Sequence, residues 1–130
     1  GNIDLIAKTR ILCGDNLNIW SGNDNDTVPV LALGGKGVIS VAANLIPEVM
    51  MKITDLCDDN EYEAARELAL RYYDLIDKMF IEVNPIPIKE MMYLDGACSN
   101  QMRLPLCPLS PKSKKSVAQV FEEYKNRALI

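Results

Sequence analysis

Histidine is absent from the 130 residues. Without it no Ser/His/Asp or Cys/His nucleophilic set can form. Zinc sites, which draw mainly on clustered Cys and His, lose one of their two usual donor types. The cysteines do not fill the gap: Cys13, Cys57, Cys98 and Cys107 are widely spaced and form no C-x-x-C pair. No metal and no cofactor is expected. Scattered thiols of this kind fit a reducing compartment, so a cytoplasmic location is expected, where the sequon Asn25-Asp26-Thr27 carries no weight. Long apolar runs are lacking too. None approaches the ~20 residues of a membrane helix, and no basic-then-apolar segment opens the chain. Nor is there a basic excess: 14 Lys and Arg against 18 Asp and Glu give a net charge of −4, which argues against nucleic acid as a partner. The cluster Lys112, Lys114 and Lys115 reads as a solvated Ser/Pro loop.

What is present is an ordinary globular content, 48% apolar, arranged in alternating periods. Residues 2–13 carry Ile3, Leu5, Ile6, Ile11 and Leu12 at amphipathic helical spacing, stopped by Gly14-Asp15. Leu17 to Ser21 alternates and ends at Gly22, as a short strand does. Asp24 to Leu33 predicts a helix, with Asp24 or Asp26 as cap and Pro29 in its first turn. Val38 to Val41 reads as a second strand, apolar apart from Ser40, as in a parallel sheet covered on both faces. Asn44 is expected to cap a helix that runs to about Cys57 with Pro47 in its first turn. This helix–strand–helix–strand–helix order is that of repeating βα units. The second half is helical: Glu61 to Phe80, then Ile88 to Leu94, an irregular proline-rich stretch over 96–112, and a last helix capped by Ser113 or Ser116.

Several apparent motifs dissolve on inspection. Gly34-Gly35-Lys36-Gly37 fails the spacing of a phosphate loop and precedes a strand, so it is read as a tight turn. Asn23-Asp24-Asn25-Asp26 lacks the central glycine and terminal glutamate of a calcium loop. Asp58-Asp59-Asn60-Glu61 is a polar turn between helices. Tyr72 is read as packing and Tyr73 as peripheral.

Four stretches in order do carry weight. They are Ser21-Gly22-Asn23-Asp24, the run from Leu33 to Asn44, Glu82-Val83-Asn84-Pro85-Ile86-Pro87-Ile88-Lys89, and Arg103-Leu104-Pro105-Leu106-Cys107-Pro108-Leu109-Ser110. Together they resemble the C-terminal half of the dihydrodipicolinate synthase and N-acetylneuraminate lyase superfamily. The resemblance implies an α/β fold, a partial (β/α)8 barrel comprising the last two strands and their helices plus a C-terminal helical extension, mostly helical overall. A whole barrel needs roughly 250 residues, so one copy cannot close one. Residues 1–58 would form the barrel's βα units and 59–130 the helical region.

The same resemblance implies the chemistry. In the family a lysine at the end of the sixth strand attacks the keto carbon of pyruvate to give a Schiff base, and a tyrosine from the N-terminal half relays protons. Gly1-Asn2 looks like the pair that follows the lysine-bearing strand, so no catalytic residue is expected in this chain. Lys8, Lys36, Lys52, Lys78, Lys89 and Lys125 fall on predicted helices or before a strand, away from the mouth of a barrel. Ile39 matches the residue whose backbone lines the pyruvate pocket. Ser21, Gly22 and Asn23 match the loop beside it, with Asn23 where the family more often has Asp. The complete enzyme would be an aldolase-type lyase condensing pyruvate with aspartate semialdehyde on the route to lysine. The alternative is a non-catalytic helical interaction module. An oligomer of identical chains is expected, because two short parallel strands leave open edges and apolar surface.

Overall fold

Helix α1, Ile3–Cys13, begins at Asn2, whose side-chain oxygen accepts the Leu5 N–H at 3.0 Å. It ends at Gly14, whose positive φ of 57° lets its N–H turn back to the Arg10 carbonyl. A computed structural model describes residues 1–128 of the chain. It divides into two compact units, Gly1–Arg71 and Tyr72–Ile130.

In the first unit the helices are α1, α2 (Thr27–Ala32), α3 (Pro47–Asp58) and α4 (Tyr62–Arg71). Pro47 at the start of α3 lacks the N–H that would go unpaired there and has φ already set for a helix. α3 packs on α2 and α4. Leu31, Leu56, Cys57 and Ala65 form their shared core, with Val28, Tyr62 and Leu68 against it. Burying one such leucine contributes about 1.5–3 kcal/mol. Ala65, with no exposed surface, lets α4 approach closely. The Asp58–Glu61 segment is the polar turn expected, with Asn60 in the left-handed region at φ 62°. α1 buries none of its residues, and Ile11 and Leu12 are more than four-fifths exposed.

The two expected strands run side by side but barely pair. Lys36 N–H donates to the Ile19 carbonyl, Ser21 N–H to that of Gly37 and Ile39 N–H to that of Ser21, each at 2.8 Å. They make one parallel bridge, Ser21 to Val38, and among the described residues no longer strand forms. Two short parallel segments with no third neighbour do not sustain a ladder, and the second turns into a 3₁₀ segment at Ala42–Asn44. The glycines before it are there for space. A Cβ on Gly35 would sit 2.7 Å from the Val30 carbonyl oxygen, and one on Gly37, at φ +148°, 2.8 Å from the Trp20 ring.

Two local expectations for this unit are corrected. Neither Asp24 nor Asp26 caps α2 through its side chain: a 3₁₀ turn at Asp24–Asp26 precedes that helix, and the Asp24 carboxylate is taken up elsewhere. Asn44 does not cap α3. It closes the 3₁₀ turn and its amide donates back to the Val41 carbonyl at 2.9 Å, leaving Ile46 before Pro47.

The second unit holds α5 (Tyr73–Lys78), α6 (Ile86–Leu94) and α7 (Pro111–Ala128). The long helix expected over 61–80 is broken at Tyr72, whose ψ of 3° leaves the helical region. α7 packs on both α5 and α6. Its Val117 and Phe121 are buried, as are Leu75 and Ile76 on α5, Met79 just after it, and Ile86, Ile88 and Met91 on α6. Tyr72 and Tyr124 pack as tilted rings 6.1 Å apart, whereas Tyr73 is about half exposed.

The cap of α7 is neither Ser113 nor Ser116. The helix opens at Pro111, and Ser110 precedes it, its hydroxyl accepting the Ser113 N–H at 3.3 Å. Lys112, Lys114 and Lys115 therefore lie in the first turns of α7 rather than in a loop. Glu82 holds the cap in turn, accepting the Ser110 hydroxyl at 2.6 Å and its N–H at 3.2 Å. These bonds hold the Glu82 carboxyl below the usual carboxylate range. On α6 the buried Glu90 lies 3.1 Å from the Lys114 ammonium and accepts the Asn100 amide at 3.2 Å.

Candidate functional site

The site begins with the register of the two extended segments. Because Ser21 bridges Val38 in parallel, the residues that follow each of them, Gly22–Asn23 and Ile39–Ser40, emerge at the same end of the pair. Ser21 is buried, with its hydroxyl donating to the Asn23 carbonyl at 2.7 Å and accepting the Asn23 N–H at 3.3 Å. That small closed turn orients the loop. Gly22 is exposed and a Cβ there would meet nothing. Asn23 is half-buried and its amide donates to Asp26 at 3.0 Å. Ile39 spends its N–H on Ser21 and leaves its side chain 72% exposed. The structure thus brings all four expected residues to one edge.

Sequence reasoning missed what holds this edge. Asp24 is only 4% exposed. It accepts the Ser40 hydroxyl, the Val41 N–H at 3.1 Å and the Ala42 N–H at 3.4 Å. The Ser40 oxygen in turn accepts the Ala43 N–H at 2.8 Å. Behind the other end of the pair, the Arg10 guanidinium is shared between carbonyls of Gly14, Leu17, Leu33 and Gly34. It ties the start of the first segment to the turn before the second. No short-range pattern announces either residue, since their partners lie up to 24 positions away.

Several lysines are held in ion pairs within their own unit. Lys8 pairs with Asp4 at 2.6 Å, Lys78 with Asp77 at 3.0 Å and Lys125 with Asp95 at 2.7 Å. Lys36 and Lys52 are exposed. Lys89 is half-buried and donates to the Gln101 carbonyl at 2.6 Å. The Lys125 ammonium is held above its ordinary pKa by the Asp95 hydrogen bond.

The sequence matches the Dihydrodipicolinate synthetase family over residues 1–124. The chain belongs to that family. Among relatives, it is 41% identical over 124 residues to a 4-hydroxy-tetrahydrodipicolinate synthase of Geobacter sulfurreducens, a match covering 95% of this chain and 43% of that protein. It is 37% identical over 122 residues to the synthase of Methanocaldococcus jannaschii, covering 94% and 42%. Its fold superimposes on the crystal structure of dihydrodipicolinate synthase from Aquifex aeolicus with a TM-score of 0.91 at 35% identity, covering 95% of this chain and 42% of that one. The chain therefore spans less than half the length of the family members it matches. Its mostly helical structure aligns with part of a (β/α)8 barrel. Among the described residues no helix is long and apolar enough to cross a membrane.

Proposed function

We propose that these residues form the C-terminal part of a Schiff-base-forming lyase, a 4-hydroxy-tetrahydrodipicolinate synthase that condenses pyruvate with aspartate semialdehyde for lysine synthesis. On this reading residues 1–58 belong to the barrel wall, with its last two strands, and 59–130 to the helical extension. Ser21, Gly22, Asn23 and Ile39 line the pyruvate pocket, and the lysine and proton-relay tyrosine come from barrel segments other than these. The complete protein would work in the cytoplasm as an assembly of identical chains. The observation that carries the reading is the parallel bridge from Ser21 to Val38. It sets the Ile39 backbone beside the Gly22–Asn23 loop at one end of two parallel segments, which is where barrel enzymes bind substrate.

The test is a graft. Residues 1–124 replace the corresponding stretch of the Geobacter sulfurreducens synthase, and condensation of pyruvate with aspartate semialdehyde is measured. Activity within roughly a hundredfold of the parent is expected, a loss of about 2.7 kcal/mol of transition-state stabilisation at most. A folded graft with no condensation above background would refute the reading.

A further inference from the structure

We propose that Asp24 is a positioning residue for the pyruvate-lining edge: its carboxylate clasps the Ser40–Ala42 backbone and so fixes where Ile39 stands relative to the Gly22–Asn23 loop. The inference rests on the assignment of Ile39 and that loop to the pocket.

The geometry makes the clasp specific. Asp24 follows directly on the loop, and its side chain reaches across 16 to 18 positions of sequence to the residues directly after Ile39. Two of its three donors are backbone N–H groups, of Val41 at 3.1 Å and Ala42 at 3.4 Å, and the third is the Ser40 hydroxyl. Both N–H groups sit at the entry to the 3₁₀ turn Ala42–Asn44, where no earlier carbonyl of that turn is available to them. A buried carboxylate that accepts several hydrogen bonds is held in one place, because each bond lost would leave a buried group unpaired. Asp24 is anchored from its own side as well, since its carbonyl accepts the buried Thr27 hydroxyl at 2.7 Å. One side chain therefore joins the loop after the first segment to the chain after the second, just beyond the last backbone bond between them, Ile39 N–H to the Ser21 carbonyl. Among the described residues, no other polar contact after Ile39 ties the second segment to the loop after the first.

The clasp predicts a division of effects. Ile39 contributes to binding, whereas the covalent chemistry belongs to a lysine elsewhere, so loosening the edge weakens pyruvate binding more than it slows turnover. Asparagine at position 24 keeps the shape but offers one neutral acceptor and an N–H₂ that faces other donors.

The experiment has two arms. In the full 130-residue chain, backbone hydrogen exchange at Val41 and Ala42 is followed by NMR for the parent, Asp24→Asn and Ser40→Ala. Exchange at both amides is expected to rise at least about tenfold in Asp24→Asn, as loss of charge-assisted bonds requires, while amides of α3 stay within about twofold. Unchanged exchange at Val41 and Ala42 would overturn the clasp. In the active graft, Asp24→Asn is expected to raise the pyruvate KM roughly tenfold with kcat within about threefold. Equal falls in kcat and kcat/KM with an unchanged KM would overturn the positioning role. Should Asp24→Asn fail to fold, Ser40→Ala decides: it removes one of three donors and is expected to raise KM about twofold to fivefold, and a parental KM would count against the proposal. A parent graft without activity would refute the pocket assignment alone, because the exchange arm is read on the chain itself.

Discussion

Gly37 offers a sharp test of how tightly the turn before the second segment is built. Its φ of +148° is one that L side chains rarely adopt, and a Cβ there would stand 2.8 Å from the Trp20 ring. Alanine at this position must strain the backbone at a cost of about 1–3 kcal/mol and push the indole aside. Trp20 is half exposed and has room to swing outward. The backbone cost therefore dominates and the packing cost is small, so Gly37→Ala should lose about 1–3 kcal/mol rather than the larger figure of a core clash. Gly22 is the control: a Cβ there meets nothing and its φ is unremarkable, so Gly22→Ala should stay within about 0.5 kcal/mol of the parent. The chain has one tryptophan, and Trp20 lies in the first unit, so urea unfolding followed by indole fluorescence reports on this unit. Gly37→Ala should lower the midpoint and shift native emission to the red as the ring moves into water. A midpoint and spectrum equal to those of the parent, or an equal loss from Gly22→Ala, would refute the reasoning.

Three further outcomes follow from the second unit and the cysteines. The folded state holds the Glu82 carboxyl below its ordinary range through Ser110 and Ser113. Its contribution is therefore complete above the unfolded carboxylate pKa and lost as pH falls through the folded one. Thermal melts between pH 7 and pH 3 should show a slope that Glu82→Gln flattens, and an unflattened slope would count against the cap. Burial first, and the Asp58 charge second, push the Cys57 thiol up, so iodoacetamide at mildly alkaline pH should label exposed Cys13 and Cys107 well before Cys57. Peptide mass mapping reads the order, and equal rates would contradict it. Met91 has no exposed surface, and Met91→Ala should cost about 2–5 kcal/mol in chemical unfolding followed by circular dichroism; a loss below about 1 kcal/mol would mean α6 repacks freely.

Much of the backbone was legible because the signals were local. Gly14 ends α1, Pro47 opens α3 and the asparagine turn at Asn60 joins α3 to α4, each through a preference of that residue for its own φ and ψ. The parallel relation of the two extended segments followed from the βα order. The misreadings have different causes, and the plainest is a local rule that lost to a distant partner. Asp24 is a good helix cap by composition, yet Ser40, Val41 and Ala42 offer it three donors where α2 offers none to its side chain. Asn44 lost its capping place to the Ala42–Asn44 turn. The break at Tyr72 left no trace because the apolar spacing runs straight through it and neither Gly nor Pro marks the spot. Ser110 could have been found, since Pro111 favours the first position of a helix and so points to the residue before it as the cap. Of the candidate site, Ser21, Gly22, Asn23 and Ile39 came from family resemblance. What holds them together, Asp24 and Arg10, came from long-range contacts alone.

On the proposed function this chain supplies the wall of a pyruvate pocket whose reactive lysine lies elsewhere. Intact-mass analysis after treatment with pyruvate and borohydride tests it most directly, run in parallel on the 130-residue chain and on the graft. No adduct is expected on the chain alone and one reduced pyruvate adduct per graft molecule, weakened in parallel with KM by Asp24→Asn. A stoichiometric single-site adduct on the chain alone, or a folded graft that takes up none, would contradict it.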